Sequence, residues 1–101
     1  MQGKEKMKEK EEEKKLERIL KAFANRRRLA ILRYLKKKKE KEAVVTDIAE
    51  TIDLSFKATS KHLGILFAAN IVDREQRSLQ MFYRLADDQP SVARALLHIL
   101  S

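Results

Sequence analysis

Apolar positions along this chain fall into blocks whose spacing is helical, then alternating, then helical again. Leu16, Ile19, Leu20 and Phe23 recur three and four residues apart and mark one side of a helix. Leu29, Leu32 and Leu35, flanked by Ile31 and Tyr34, predict a second helix from Arg26 to about Lys37, with Asn25 as its N-cap. Ala43 to Val45 is a short extended run. Ile48, Ala49 and Ile52 then mark a short third helix, Thr46 to Ile52. Asp53 ends it, because aspartate accepts a left-handed backbone more readily than most residues. Leu54 follows as an apolar plug, and Ser55 caps a fourth helix. In that helix Thr59, Leu63, Leu66 and Phe67 fall inward. Phe56, Lys57, Ser60, Lys61 and Gly64 fall outward. Two short helices joined by a tight turn make a helix-turn-helix.

Past Asn70 the spacing drops to two. Ile71 to Glu75 reads as a strand, and Leu79 to Leu85 as another, with Leu79, Met81, Tyr83 and Leu85 alternating against Gln80, Phe82 and Arg84. Gln76, Arg77 and Ser78 form the turn between them. A hairpin in this place is a wing; the competing reading is an ordinary hairpin whose edge is guarded by charges. Asp87 to Pro90 turns the chain, and Ser91 caps a last helix. Val92, Leu96 and Ile99, with Ala95 and Leu100, give that helix a broad apolar face. About ten residues do not hold a helix alone, so its partner is the Leu16 to Phe23 stripe, in its own chain and in a second copy.

The fold class expected is mainly α with a small β-hairpin: a winged helix-turn-helix dimerised by its terminal helices. Residues 1–15 form a charged N-terminal helical extension, frayed and solvated, and residues 16–101 the DNA-binding domain. Within it the helix-turn-helix spans 46–68, the wing 71–85, and the dimerisation helices 16–24 and 91–100. The dimerisation candidates are Leu16, Ile19, Leu20, Phe23, Val92, Leu96 and Ile99.

Composition narrows the chemistry. The 101 residues carry a net charge of +8, which favours a polyanionic partner. Residues 1–42 hold 17 basic and 8 acidic side chains, whereas residues 43–101 hold 6 and 7. The charge therefore sits away from the outward face of the fourth helix. Arg26, Arg27 and Arg28 occupy a first helical turn, where cations oppose the helix dipole. Acidic partners or a bound phosphate would offset that cost. Lys36 to Lys39 suit a helix end, either solvated or touching phosphate. The Lys/Glu alternation before Lys15 fits a solvated helix, with a nucleic-acid-binding arm as the sharper reading.

There is no cysteine, so disulfides and thiolate metal sites are excluded within these residues. No apolar run is long enough to span a bilayer, and no apolar signal segment opens the chain, so a soluble cytoplasmic protein is expected. No nucleophile–base pair, glycine-rich phosphate loop or carboxylate cluster suggests an enzyme, and no cofactor is expected.

Three segments resemble the ArsR/SmtB family of winged-helix repressors. AFANRRRLAILRYL resembles the entry to the family's second helix, with Asn25 at the capping position and Arg28 at a recurrent arginine. IAETIDLSFKATSKHL resembles its helix-turn-helix, with Ser60 to Leu63 matching a Ser-basic-His-Leu signature. MFYRL resembles the end of its wing. The resemblance spans roughly Leu20 to Leu85. It implies a homodimer that binds an imperfect palindrome in double-stranded DNA and represses until an unidentified effector arrives. The DNA-contact candidates are Phe56, Lys57, Thr59, Ser60 and Lys61 on the reading helix, with Arg74 and Arg77 on the wing. Phe56 replaces a commonly polar residue, and Gly64 stands where a basic residue is frequent. His62 reads as a framework imidazole. The family's metal sites are not matched: Asp87 is followed by Asp88 and Gln89 rather than a histidine, and only His98 remains nearby. A winged helix used for protein contacts, or non-specific architectural DNA binding, are the competing functions.

Overall fold

Two side-chain caps start the central helices. Asn25 Oδ1 accepts from the backbone N–H groups of Arg27 at 2.9 Å and Arg28 at 3.1 Å, and Ser55 Oγ accepts from Ala58 N–H at 3.1 Å. Each satisfies amides that no preceding turn can reach. The computed structural model describes residues 2–101. Its order is α1 (Gln2–Phe23), α2 (Arg26–Lys37), β1 (Ala43–Val44), α3 (Val45–Thr51), α4 (Phe56–Ala68), β2 (Val72–Arg77), β3 (Gln80–Leu85) and α5 (Ser91–Ile99). α1 runs unbroken across residue 15, so the charged extension and the Leu16 to Phe23 stripe share one helix.

The two ends of the helix-turn-helix stop alike. Asp53 and Asn70 take the left-handed conformation, with φ of 55° and 59°. Leu54 N–H then donates to Ala49 O and Asp53 N–H to Glu50 O; Ile71 N–H donates to Leu66 O and Asn70 N–H to Phe67 O. Both are Schellman motifs, and each tucks an apolar residue back under its helix. Neither uses glycine. Asn70→Gly removes the steric cost of the left-handed backbone and is expected to stabilise the fold by about 0.5–1 kcal/mol. Urea denaturation reads this as a higher midpoint at unchanged slope.

The core gathers Ile31, Leu32 and Leu35 of α2, Ile48 of α3, Leu63 and Leu66 of α4, and Ile71 and Val72 entering β2. The terminal helices correct the expected dimer surface. Ile19 and Phe23 are buried in their own chain together with Ala22, because 19, 22 and 23 share one helical face. Leu16 and Leu20 look elsewhere and are 43% and 46% exposed. On α5 the inward residues are Ala93 and Leu97; Val92 and Leu96 are half-buried against the core, and Ile99 is 75% exposed. The α5 cap also differs: Pro90 is the N-cap residue, without a side-chain bond, and Ser91 lies inside the helix.

The hairpin is part of a three-stranded antiparallel sheet ordered β1-β3-β2. β2 and β3 pair from Val72↔Leu85 to Arg77↔Gln80, so the turn is Ser78–Leu79 rather than Gln76 to Ser78. Ser78 takes φ 56° there. Leu79, expected on a strand, is at the tip and 96% exposed. β1 adds the third strand through Ala43↔Tyr83 and Val44↔Phe82.

Candidate nucleic-acid interface

α4 presents two different sides. Leu63 and Leu66 anchor it in the core, which turns Lys57 and Lys61 to the surface. Ser60 and Gly64 are half-buried beside them, and nothing lies within 4 Å of where a Gly64 side chain would begin. The outer face is therefore low one turn beyond Lys61, open to a closely approaching surface. Phe56 stands at its start, 56% exposed. No carboxylate pairs with Lys57 or Lys61 among the described residues.

Thr59 is a correction. It shares the face of Leu63 and Leu66, four and seven residues on, and is fully buried with Oγ1 unpartnered. It packs the helix and does not reach a ligand. Arg77 is the second correction. Its guanidinium donates to both Glu42 carboxylate oxygens, at 2.8 and 2.6 Å, and to Glu75 Oε1 at 2.7 Å, while lying 4.3 Å above the Phe82 ring. The Arg77 bonds hold the Glu42 carboxyl below its usual range. Arg77 thus ties the wing to the strand leading in from Glu42, and its charge is already matched. Arg74 differs. It lies 3.9 Å over the Phe67 ring of α4, has no acidic partner among the described residues, and remains exposed. Among the described residues, Lys57, Lys61 and Arg74 pair with no carboxylate.

Behind α4, Arg28 joins three helices. Its Nε donates to Ala22 O at 2.7 Å, Nη2 to Lys21 O at 3.0 Å, and Nη1 meets His62 Nδ1 at 3.0 Å. A cation that opposes its own helix dipole in α2 instead meets the carbonyl end of α1, where it is favourable. Its partners are carbonyls and an imidazole, not the acids or phosphate expected. Since Arg28 only donates, Nδ1 must accept, and the His62 proton sits on Nε2. Burial first, and then the nearby Arg28, Arg27 and Lys61 charges, lower the His62 pKa. Lys36 also has a local role, donating to Leu97 O and Leu100 O at 2.6 Å and closing the end of α5. Lys38 lies near Glu40 and over the Tyr34 ring, which leaves Lys37 and Lys39 solvated. The wiring of Arg28 and Glu42 was hidden in the sequence, because their partners lie 34 and 35 residues away.

A sequence model of bacterial regulatory proteins of the arsR family matches residues 25–74, which run from the α2 cap to Arg74 in β2. The transcriptional activator HlyU of Vibrio cholerae is 34% identical over 82 residues, covering 81% of this chain and 73% of that protein. The chain belongs to the ArsR family. The solved structure of V. cholerae HlyU superposes with a TM-score of 0.72 at 30% identity, covering 88% of this chain and 90% of that one. The homodimeric winged helix-turn-helix DNA-binding domain of a possible ArsR-family regulator from Mycobacterium bovis matches with a TM-score of 0.71 at 27% identity, covering 85% and 74%. This ArsR-family chain is accordingly a winged helix-turn-helix, DNA-binding transcriptional regulator, and its relatives are regulators rather than enzymes. Among the described residues no three His, Asp or Glu side chains cluster as metal ligands, and no helix is long and apolar enough to cross a membrane.

Proposed function

We propose that the chain is a homodimeric repressor that reads a palindromic operator by placing α4 of each subunit in the major groove. The observation carrying this reading is the outer face of α4, where Lys57, Ser60 and Lys61 lead up to the low point at Gly64 with no carboxylate among the described residues paired to the two lysines. Lys57 and Lys61 meet phosphates or guanine edges, Ser60 reads a base edge, and Phe56 packs on a thymine methyl. Arg74 reaches the backbone from the wing. Residues 16–101 work as the DNA-binding unit, and two copies join along Leu16, Leu20 and Ile99, the apolar side chains of the terminal helices left outside the core. A dimer holds two α4 helices one helical turn apart, which makes the preferred site a palindrome. Repression requires no activating surface: a dimer seated on a promoter excludes polymerase.

Fluorescence anisotropy on a duplex selected from a random pool tests the reading. Lys57→Ala/Lys61→Ala is expected to lower affinity about 10–100-fold and to reduce the slope of log K against log salt by about 2, at roughly 0.9 per lost phosphate contact. Ser60→Ala is expected to change preference rather than salt slope. Unchanged binding in both variants removes α4 as the reader. A wild-type protein that binds random and selected duplexes equally is architectural, and one that binds neither is a protein-contact module. In vitro transcription from the selected site distinguishes repression from activation.

A further inference from the structure

Along the sequence of α1 lysine and glutamate alternate, yet the helix sorts them. Each residue advances by about 100°, so residues three and four apart share a side. Lys6, Lys10, Lys14, Arg18 and Lys21 follow one another at intervals of four, four, four and three. Glu5, Glu9 and Glu12 follow the same rule onto another side, in line with Leu16 and Leu20. In three dimensions the segment carries a basic row and an acidic row, with Glu13 and Glu17 falling at the edge of the basic one, three residues on from Lys10 and Lys14.

The basic face leads to the reading helix. Where α1 meets the body of the protein, Lys14, Arg18 and Lys21 share one open hollow of about 560 Å³ with Arg28 and Ile65. Ile65 lies on α4 four residues beyond Lys61 and is 36% exposed. The hollow thus brings Lys14, Arg18 and Lys21 of α1 to the part of α4 that carries Ile65, about one turn beyond Lys61. Glu17 is the one carboxylate bordering that hollow, 3.8 Å from Lys21. Lys6, Lys10, Lys14 and Arg18 pair with no acid among the described residues. From Lys6 to Arg18 the row covers about 18 Å at 1.5 Å per residue.

We propose that this face of α1 is a second DNA-contacting surface, laid along the phosphate backbone beside the groove that α4 enters. The proposal rests on the DNA-reading role of α4. It supplies affinity without sequence preference, because phosphates carry no base information. An acidic protein surface is the other possible occupant, but the continuity with α4 favours the duplex that α4 already holds.

Two triple variants with the same loss of charge decide it. Lys6→Gln/Lys10→Gln/Lys14→Gln neutralises the proposed face; Lys4→Gln/Lys8→Gln/Lys15→Gln neutralises another side of the same helix. Glutamine keeps helix propensity near that of lysine, and circular dichroism checks that the helix is retained. With the selected duplex, the first triple is expected to lower the salt slope by about 2–3, at roughly 0.9 per contact, and to weaken binding at least ~10-fold in 0.1 M salt. The second is expected to leave the slope within about 0.5 of wild type, and Lys6→Arg/Lys10→Arg/Lys14→Arg to restore it. The ratio of selected to random affinity stays the same in all of them. Equal slopes for the two glutamine triples, or a first triple that matches wild type, overturn the α1 surface while the α4 reading stands. Wild-type protein without salt-sensitive duplex binding overturns both.

Discussion

Leu20→Glu is expected to convert the protein to a folded monomer and to weaken operator binding about 100–10,000-fold. Leu20 is an apolar side chain with nearly half its surface in water, exposed like Leu16 on a helix whose Ile19, Ala22 and Phe23 are buried. Together with Leu16 and Ala24 it borders an open hollow of about 480 Å³ rimmed by Glu13, Glu17 and Lys21. In a monomer a glutamate there stays hydrated and costs little. In a dimer it is pressed against the partner's apolar side chains and loses its hydration, at a cost of several kcal/mol. Separated subunits then bind half-sites independently. They lose the effective concentration, in the millimolar range for linked sites, that makes the second half-site almost free to occupy. Sedimentation equilibrium with anisotropy on full and half operators checks both parts. A variant that remains dimeric, or a monomer that binds the full site as tightly as wild type, removes residues 16–24 from the interface.

That the interface residues needed correction has a physical cause. Where a segment is apolar on one side only, spacing identifies the inward residues, as it does for Leu32 and Leu35 in α2 and for Leu63 and Leu66 in α4. Cap and stop residues are equally local: Asn25 and Ser55 act within three residues, and Asp53 and Asn70 need only their own φ. α5 is apolar on several sides, so periodicity cannot choose among them. Ala93, small enough for close approach, and Leu97 take the interior and leave Ile99 outside. The stripe on α1 is similarly shared between the chain's own core and its surface. Thr59 belongs inside by spacing alone, and its hydroxyl is a misleading sign of a ligand contact.

The electrostatics were the least legible part. A basic residue on a wing suggests phosphate, yet Arg77 is claimed by Glu42 from before β1, while the similar Arg74 is not. Only the pairing of β1 with β3, two residues long and distant in sequence, brings Glu42 within reach. On α1 lysines and glutamates that alternate in sequence gather into rows when wound into a helix, although Glu13 and Glu17 stay beside the basic row. In both cases the formal charge of a residue said less about function than whether its counter-charge lies on the same side of the fold.

The second large effect is expected at Arg28, which touches nothing outside the protein. Arg28→Met keeps the aliphatic stem but leaves Ala22 O and His62 Nδ1, both partly buried, without a donor. Hydrogen bonds to a charged group contribute about 1.5–3 kcal/mol each, so a loss of about 2–4 kcal/mol is expected from a domain whose stability lies in the range of about 5–15 kcal/mol. Lysine does not rescue it, because one ammonium on a flexible stem cannot span the three acceptors that the planar fork meets. Since His62 sits on the inner side of α4 between Leu63 and Lys61, the lesion also loosens the reading helix, and operator affinity falls with stability. The imidazole gives the effect a pH signature. Its pKa in the folded chain lies below the ordinary value of about 6.5, so between the two values the unfolded chain binds more protons. Stability therefore falls as pH drops through that window and is restored above it. Urea midpoints at pH 7.5 and pH 5 measure the difference. His62→Asn, whose Oδ1 can take the place of Nδ1, is expected to keep the neutral-pH stability nearer to wild type than Arg28→Met does and to flatten the acid loss. An Arg28→Met protein as stable as wild type, with the same operator affinity, would show that the three helices hold their positions without this fork.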